Sequence, residues 1–86
     1  MGRRSQYPIK RSHIVASILA YTQEHQKPPS LREVAADIEV SAATMHSYVD
    51  NLMREGLVEW KPRLHRSLRV TEKGRRLHES TPAVPF

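Results

Sequence analysis

Cysteine is absent from the 86-residue sequence. Its absence excludes a small secreted scaffold held together by disulfides, and also a zinc site that needs thiolate ligands. Long apolar runs are missing too, since none approaches the roughly 20 residues that a membrane-spanning helix needs. The basic start Met1-Gly2-Arg3-Arg4 is followed by polar residues where a signal peptide requires an apolar stretch. We therefore expect a cytoplasmic protein without a membrane partner.

Aromatic residues are scarce. They make up 6% of the sequence, so the core must consist mainly of aliphatic side chains. A chain of 86 residues has room for one domain, which by surface-to-volume scaling buries roughly 60 to 65% of its unfolded surface. We therefore expect a single domain with one modest core.

Clusters of catalytic residues are missing as well. An enzyme needs a nucleophile with a base, paired carboxylates or metal ligands, and none of these sets is grouped in the sequence. The five histidines are scattered without the spacing of metal ligands. We therefore expect no catalytic activity, no metal site and no cofactor.

Acidic residues are outnumbered by basic ones, nine to 14, which leaves a formal net charge of +5. A net positive charge favours a polyanionic partner such as nucleic acid, because binding to its phosphates releases condensed counterions. Many solvated surfaces are equally basic without binding nucleic acid. The position of the charges along the chain therefore has to decide between these alternatives.

Apolar residues recur at helical spacing in the first part of the chain. This pattern predicts a helix over residues 12–26, which Pro28 ends because proline lacks an amide donor and disfavours helical geometry in its predecessor. Ser30 and Glu33 have the spacing of a capping box, in which each side chain accepts a hydrogen bond from the other residue's amide. A second, short helix is therefore predicted to begin there.

A third helix is predicted over residues 42–55, after a connection of about three residues. Ser41 has the residue type of a helix N-cap, and Gly56 that of the left-handed residue at a helix C-terminus. Two short strands, 57–60 and 68–70, follow. The segment after them, which begins with Thr71, predicts a last short helix capped by that threonine.

This order of elements predicts a winged helix-turn-helix fold, mainly α with a small β-hairpin. Two helices joined by a short turn form the helix-turn-helix, and the hairpin forms the wing. The expected architecture is a three-helix core, a two-stranded wing and a short C-terminal helix. We expect this domain over residues 12–79, with a basic N-terminal arm at 1–11 and a tail at 80–86. The arm either reaches a neighbouring DNA groove or is disordered.

The third helix is the candidate for reading DNA. Its apolar residues, such as Met45 and Leu52, lie on one face, and the opposite face carries small and polar side chains that suit base edges in the major groove. Asp50 is expected to pair with Arg54 at i+4, and the alternatives are a contact with a cytosine amino group or exposure to solvent. Any surface helix has a polar face, so the fold context favours the functional interpretation. The residues predicted here to contact DNA are Ser41, Ala43, Thr44, His46, Ser47, Asn51 and Arg54.

The connection between the two predicted strands, residues 61–67, is strongly basic. Three fixed charges and one titratable group fall within about six residues, a composition typical of a hairpin that lies against phosphates. The alternative is a solvated turn without a partner. The residues of this loop that we predict to contact DNA are Lys61, Arg63, His65 and Arg66.

Three segments carry a resemblance to a known family: Pro-Pro-Ser-Leu-Arg-Glu-Val-Ala at 28–35, Ser-Ala-Ala-Thr at 41–44 and Leu-Met-Arg-Glu-Gly-Leu-Val-Glu at 52–59. Together they resemble the winged-helix DNA-binding domain of the LexA repressors, over residues 12–70. Residues 70–75 also resemble the segment after the wing in MarR-like regulators.

The resemblance to LexA repressors implies the winged-helix fold and base contacts from the start of the third helix. The matching positions in this sequence are Ser41, Ala43, Thr44, His46 and Ser47. Several of these side chains differ from the usual ones of the family, so the operator sequence is not implied. The resemblance does not extend to the self-cleaving protease domain of LexA proteins, so autocleavage is not implied either.

These observations predict a sequence-specific protein that binds double-stranded DNA and regulates transcription. The helix at 42–55 is expected to read the major groove, and the wing loop at 61–67 to contact the backbone or the minor groove. A homodimer is one option, because a single module of this size reads few base pairs. The alternative is a winged helix that binds another protein and does not read DNA.

Overall fold

Four helices and one two-stranded sheet make up the part of the chain that the structure, a computed structural model, describes, namely residues 10–64 and 66–80. The two strands are antiparallel. In chain order the elements are α1 (Arg11–His25), α2 (Leu31–Ile38), α3 (Ala42–Arg54), β1 (Val58–Glu59), β2 (Arg69–Val70) and α4 (Glu72–Ser80). The predicted order of elements and the winged helix-turn-helix fold are confirmed.

Element boundaries differ from the prediction by a few residues. Helix α1 begins at Arg11, which was assigned to the N-terminal arm and whose guanidinium pairs with the carboxylate of Glu55 at the end of α3. The two strands contain only two residues each. Residues 1–9 of the predicted arm and 81–86 of the predicted tail lie outside the described residues.

Helix α2 begins with the predicted capping box. The Glu33 amide donates to Ser30 Oγ at 3.2 Å, and the Ser30 amide donates to Glu33 Oε1 at 2.8 Å. Two amides that have no partner within the helix are thereby satisfied. The preceding helix ends at Gln26, a left-handed residue whose amide donates to the carbonyl of Thr22. Proline follows within two residues, so the helix cannot continue.

The turn between α2 and α3 is three residues long, as predicted. Glu39 takes a left-handed conformation with φ of 70°, and its amide donates to the carbonyl of Ala35 at 2.8 Å. Ser41 then caps α3 by accepting from the amide of Thr44 at 3.0 Å. Because both ends of the turn are hydrogen-bonded, the angle between the two helices of the helix-turn-helix is well defined.

Helix α3 ends in a Schellman motif. The amide of Gly56 donates to the carbonyl of Met53, and the amide of Leu57 donates to the carbonyl of Leu52. Gly56 has φ of 77°, a conformation that costs glycine far less than other residues. The motif turns the chain directly into β1, which places the wing beside α3.

The core consists of aliphatic side chains, as the shortage of aromatic residues predicts. Residues from α1, α2, α3 and the hairpin meet in one cluster, and no buried polar or charged residue is found among the described residues. Burial of each such side chain contributes about 1.5 to 3 kcal/mol. The largest members, each less than 2% exposed, are Ile14, Ile18, Met45, Leu52 and Leu68.

Helix α4 closes the core through Gly74. A Cβ at this position would overlap the carbonyl oxygen of Leu57 and would lie 2.6 Å from Val70 Cγ1. The glycine therefore allows α4 to approach the hairpin more closely than any side chain would permit. Thr71 caps the helix as predicted, accepting from the amide of Gly74 at 3.1 Å while its hydroxyl donates to the carbonyl of Gly56 at 2.6 Å. Within the described ranges, no helix is long and apolar enough to cross a membrane.

Candidate nucleic-acid interface

The outer face of α3 is the predicted reading surface. Met45, Val49 and Leu52 point into the core and are at most 1% exposed, so the opposite side of the helix faces solvent. Thr44 is half-buried at the edge of that side. The structure thus brings the predicted residues of this helix together on one surface; the exposed ones are Ser41, Ala43, His46, Ser47, Asn51 and Arg54.

Ser41 and Thr44 form a small hydrogen-bonded unit at the start of this surface. Ser41 Oγ accepts from the Thr44 amide and donates its own proton to Thr44 Oγ1 at 2.9 Å. The hydroxyl proton of Thr44 has no acceptor among the described residues, so it is available to an external acceptor. Ser41 therefore orients Thr44, whose free proton suits an acceptor atom on a base edge.

His46 is not an isolated side chain on this surface. Its ring meets the indole of Trp60 edge to face, with ring centroids 5.1 Å apart and an interplanar angle of 84°. Trp60 follows β1 directly and is half-buried. The contact joins α3 to the base of the wing, so the two parts of the predicted interface are packed together. Trp60 was not among the predicted site residues, and no local pattern would have placed it against His46.

Asp50 and Arg54 form the predicted i+4 ion pair, with Oδ2 and Nη2 3.1 Å apart. Both side chains are largely solvated, with 49% and 73% of their surface exposed. An exposed pair of this kind contributes at most about 1 kcal/mol. Exchange of the carboxylate for a phosphate would therefore cost little, and the DNA contact of Arg54 stays a prediction.

The wing loop is held in shape by Ser67. Its hydroxyl accepts from the amide of Lys61 at 2.8 Å and donates toward the carbonyls of Lys61 at 2.8 Å and Leu64 at 3.1 Å. The amide of Leu64 also donates to the carbonyl of Lys61. Lys61 and Arg63 are exposed, as predicted, whereas His65 lies outside the described residues.

Arg66, the last predicted DNA contact of the wing loop, is paired with groups of the same chain. Its Nη1 and Nη2 donate to Glu33 Oε1 and Oε2 at 2.7 and 2.8 Å, and Nη1 also donates to the hydroxyl of Tyr21 at 3.0 Å. The guanidinium carbon lies 5.9 Å from the centre of the Tyr21 ring. Its positive charge is therefore engaged within the chain, and its contact with DNA stays a prediction. Arg66 is a left-handed residue with φ of 69°, a geometry that the pattern of charges does not reveal.

The ion pair fixes the charges of both partners. Hydrogen bonds from Arg66, and then from the Ser30 amide, lower the pKa of Glu33 from 4.5 to about 2. The pKa of Arg66 is raised, chiefly by its hydrogen bonds to Glu33. Both groups are therefore charged at any pH near neutrality. The wing loop is therefore tied to the start of α2 by an ion pair that stays charged near neutral pH.

An open groove of about 370 Å³ lies between the start of α2, the start of α3 and the wing. Arg32, which sequence reasoning did not select, contributes an exposed cation to its wall. Most of the remaining wall is apolar. The lining residues are Ser30, Leu31, Arg32, Ala42, Trp60, Pro62, Leu64 and Arg66.

Comparison with known proteins gives the same architecture. The profile of the IclR helix-turn-helix domain matches residues 14–62, a segment from α1 to the start of the wing loop. The LexA repressor of Oenococcus oeni is 34% identical over 59 residues, which cover 65% of this chain and 28% of that protein.

Two further LexA repressors are similar to this chain. That of Lacticaseibacillus casei is 33% identical over 63 residues, covering 72% of this chain and 30% of the relative. That of Limosilactobacillus reuteri is 27% identical over 66 residues, covering 76% and 32%. The matches thus span between 28% and 32% of the length of these LexA repressors. The resemblance to LexA repressors expected from the sequence is confirmed.

Proposed function

The chain belongs to the IclR helix-turn-helix domain family, and from this premise we propose that it binds double-stranded DNA sequence-specifically and regulates transcription. The observation that carries the proposal is the outward polar face of α3, which stands beside a basic wing loop. The contact between His46 and Trp60 joins the two. Helix-turn-helix domains place the second helix of the motif, here α3, in the major groove. Adjacent elements contact the DNA backbone.

Helix α3 supplies the base contacts in this proposal. Thr44, with its oriented hydroxyl, is suited to an acceptor on a base edge, while Ser47 and Asn51 offer further hydrogen-bonding groups one and two turns along the same face. His46 adds a ring nitrogen at the edge nearest the wing. Arg54, at the far end, is suited to a phosphate. The contacts of Thr44, His46, Ser47 and Asn51 would discriminate between sequences because each base edge presents its own set of donors and acceptors, whereas the phosphate contact of Arg54 would only position the helix.

The cations of the wing loop supply affinity and make no hydrogen bonds to bases in this proposal. Lys61 and Arg63 are exposed cations on a loop that internal hydrogen bonds hold in shape, so they can meet phosphates at little entropic cost. Arg66 anchors this loop through its ion pair with Glu33. Lys61 and Arg63 make the phosphate contacts in this proposal. The proposal therefore assigns two direct phosphate contacts to the described part of the wing.

Selection of duplexes from a random DNA pool tests the proposal. We expect enrichment of one sequence motif, and two symmetric half-sites if the protein binds as a dimer. Failure to enrich any motif would defeat sequence-specific recognition and would favour the alternative of a protein-binding winged helix.

A salt titration on the enriched duplex then tests the wing. Each phosphate contact contributes about 0.9 to the slope of log K against log salt, so R63A should shallow that slope by about one. R75A is the matched control, because Arg75 is an exposed cation of α4 and is not assigned to the interface. Equal slopes for R63A and the unmodified protein would defeat the wing assignment.

A further inference from the structure

Leu64 is the one large apolar side chain that is strongly exposed in the described part of the chain, with 57% of its surface accessible. It lies in the wing loop, directly after the exposed cation Arg63. Every other large aliphatic residue of the described ranges is buried or half-buried. Leu64 lines the open groove beside Trp60 and Pro62, so more than half of its surface is available to a partner.

Hydrogen bonds hold the backbone of the wing loop at Leu64. The Leu64 amide donates to the carbonyl of Lys61 at 2.9 Å, and its carbonyl accepts from Ser67 Oγ at 3.1 Å. Farther along, the bidentate pair of Arg66 with Glu33 anchors the loop to α2. Because its backbone is held in this way, the loop itself loses little conformational entropy on binding, which favours its use as a contact.

We propose that Leu64 inserts as an apolar wedge into the minor groove of the bound duplex, next to the major groove that α3 occupies. Lys61 and Arg63 would contact the phosphates on either side. This inference rests on the proposed DNA-binding function. Minor-groove proteins use leucine and other apolar side chains in this way, partly unstacking a base step and bending the duplex. The neighbouring cations favour a polyanion over an apolar protein surface as the partner of Leu64.

Dimensions also favour the minor groove. That groove is about 6 Å wide, which suits a single side chain at the tip of a turn, whereas a helix such as α3 needs the major groove with a width of about 12 Å. A wedge would make affinity depend on how easily the contacted base step deforms. The wing would then contribute to sequence preference without any hydrogen bond to a base.

The test uses the duplex enriched from the random pool, labelled in two ways. In one series, 2-aminopurine replaces single adenines in the region beside the α3 site, because its fluorescence rises when stacking is lost. In the other, dyes at the two ends report bending through energy transfer. At saturating protein we expect a severalfold rise in fluorescence at one step, and a shortened end-to-end distance.

Substitutions of Leu64 test whether this side chain enters the minor groove. L64A should abolish both signals and weaken binding by about tenfold without changing the salt slope, since no charge is removed. L64M keeps an apolar side chain of similar size and should retain both signals. R63A is the matched control: it should shallow the salt slope yet retain the fluorescence signal at saturation. Thermal unfolding of each variant shows that the fold is kept, as expected for an exposed residue.

Three results would overturn the wedge. If L64A binds the duplex and gives the same fluorescence and energy transfer as the unmodified protein, Leu64 does not enter the groove, and the proposed DNA-binding function stands. If L64A leaves both signals intact but lowers the oligomeric state in sedimentation, Leu64 belongs to an interface between copies of the chain. If no duplex is enriched at all, the proposed function itself fails.

Discussion

Arg66 and Glu33 form a bidentate ion pair across 33 positions of sequence, with nitrogen to oxygen distances of 2.7 and 2.8 Å. Glu33 Oε1 also accepts the capping hydrogen bond from the amide of Ser30. One carboxylate therefore both begins α2 and anchors the wing loop. The position of the wing relative to the helix-turn-helix depends on this pair.

Substitution of Arg66 should loosen the wing. R66M keeps the aliphatic part of the side chain and removes the ion pair, so we expect only a small loss in unfolding free energy, because the pair is partly solvated. The pKa of Glu33, followed by NMR titration, should rise toward its ordinary value. R66K is the control, since it keeps the charge and loses the bidentate geometry. An unchanged Glu33 pKa in R66M would contradict the ion pair.

Stability should fall at acid pH because of Glu33. Its pKa is about 2 in the folded protein and ordinarily 4.5, so the unfolded state takes up a proton first as the pH falls. The stabilisation is present above pH 4.5 and is lost as the pH falls toward 2. After solvent screening we expect the loss to be about 1 to 2 kcal/mol. Urea unfolding at several pH values measures it, and E33Q should show a shallower dependence on pH over this range.

Gly74 should not tolerate alanine. Although alanine favours helices by about 1 kcal/mol over glycine, the added Cβ would collide with the carbonyl of Leu57 and force α4 away from the hairpin. We expect G74A to destabilise the fold by about 1 to 3 kcal/mol in chemical unfolding. R75A, at an exposed position of the same helix, should be close to neutral. A G74A variant as stable as the unmodified protein would show that α4 can shift without cost.

Thr44 should determine sequence preference and not general affinity. T44V keeps the shape and methyl group but removes the hydroxyl, while the amide of residue 44 can still donate to Ser41 Oγ. Binding to the enriched duplex should weaken by about 1 to 3 kcal/mol, with little change on unrelated duplexes. R54A should instead weaken binding to all duplexes alike and shallow the salt slope. If T44V lost the same affinity for every duplex, Thr44 would have no part in base recognition.

Local patterns predicted most of the fold. The Ser30 and Glu33 capping box, the left-handed Gly56 and the helical spacing of apolar residues each depend on a few neighbouring residues, so they can be found in the sequence. The ends of the elements differ from the prediction by a few residues, as at Arg11, because hydrogen bonds at the termini of an element determine where it begins and ends. The outward face of α3 followed from the same periodicity, since the buried positions determine the exposed ones.

The order of elements, the polar face of α3 and the basic character of the wing loop follow from residue type and short spacing, so the printed sequence is enough to predict them. The ion pair of Arg66 with Glu33 and the packing of His46 on Trp60 are seen only in the folded chain, and so is the exposure of Leu64. Folding brings distant residues together or leaves a residue at the surface, and the spacing along the sequence carries no information about either outcome.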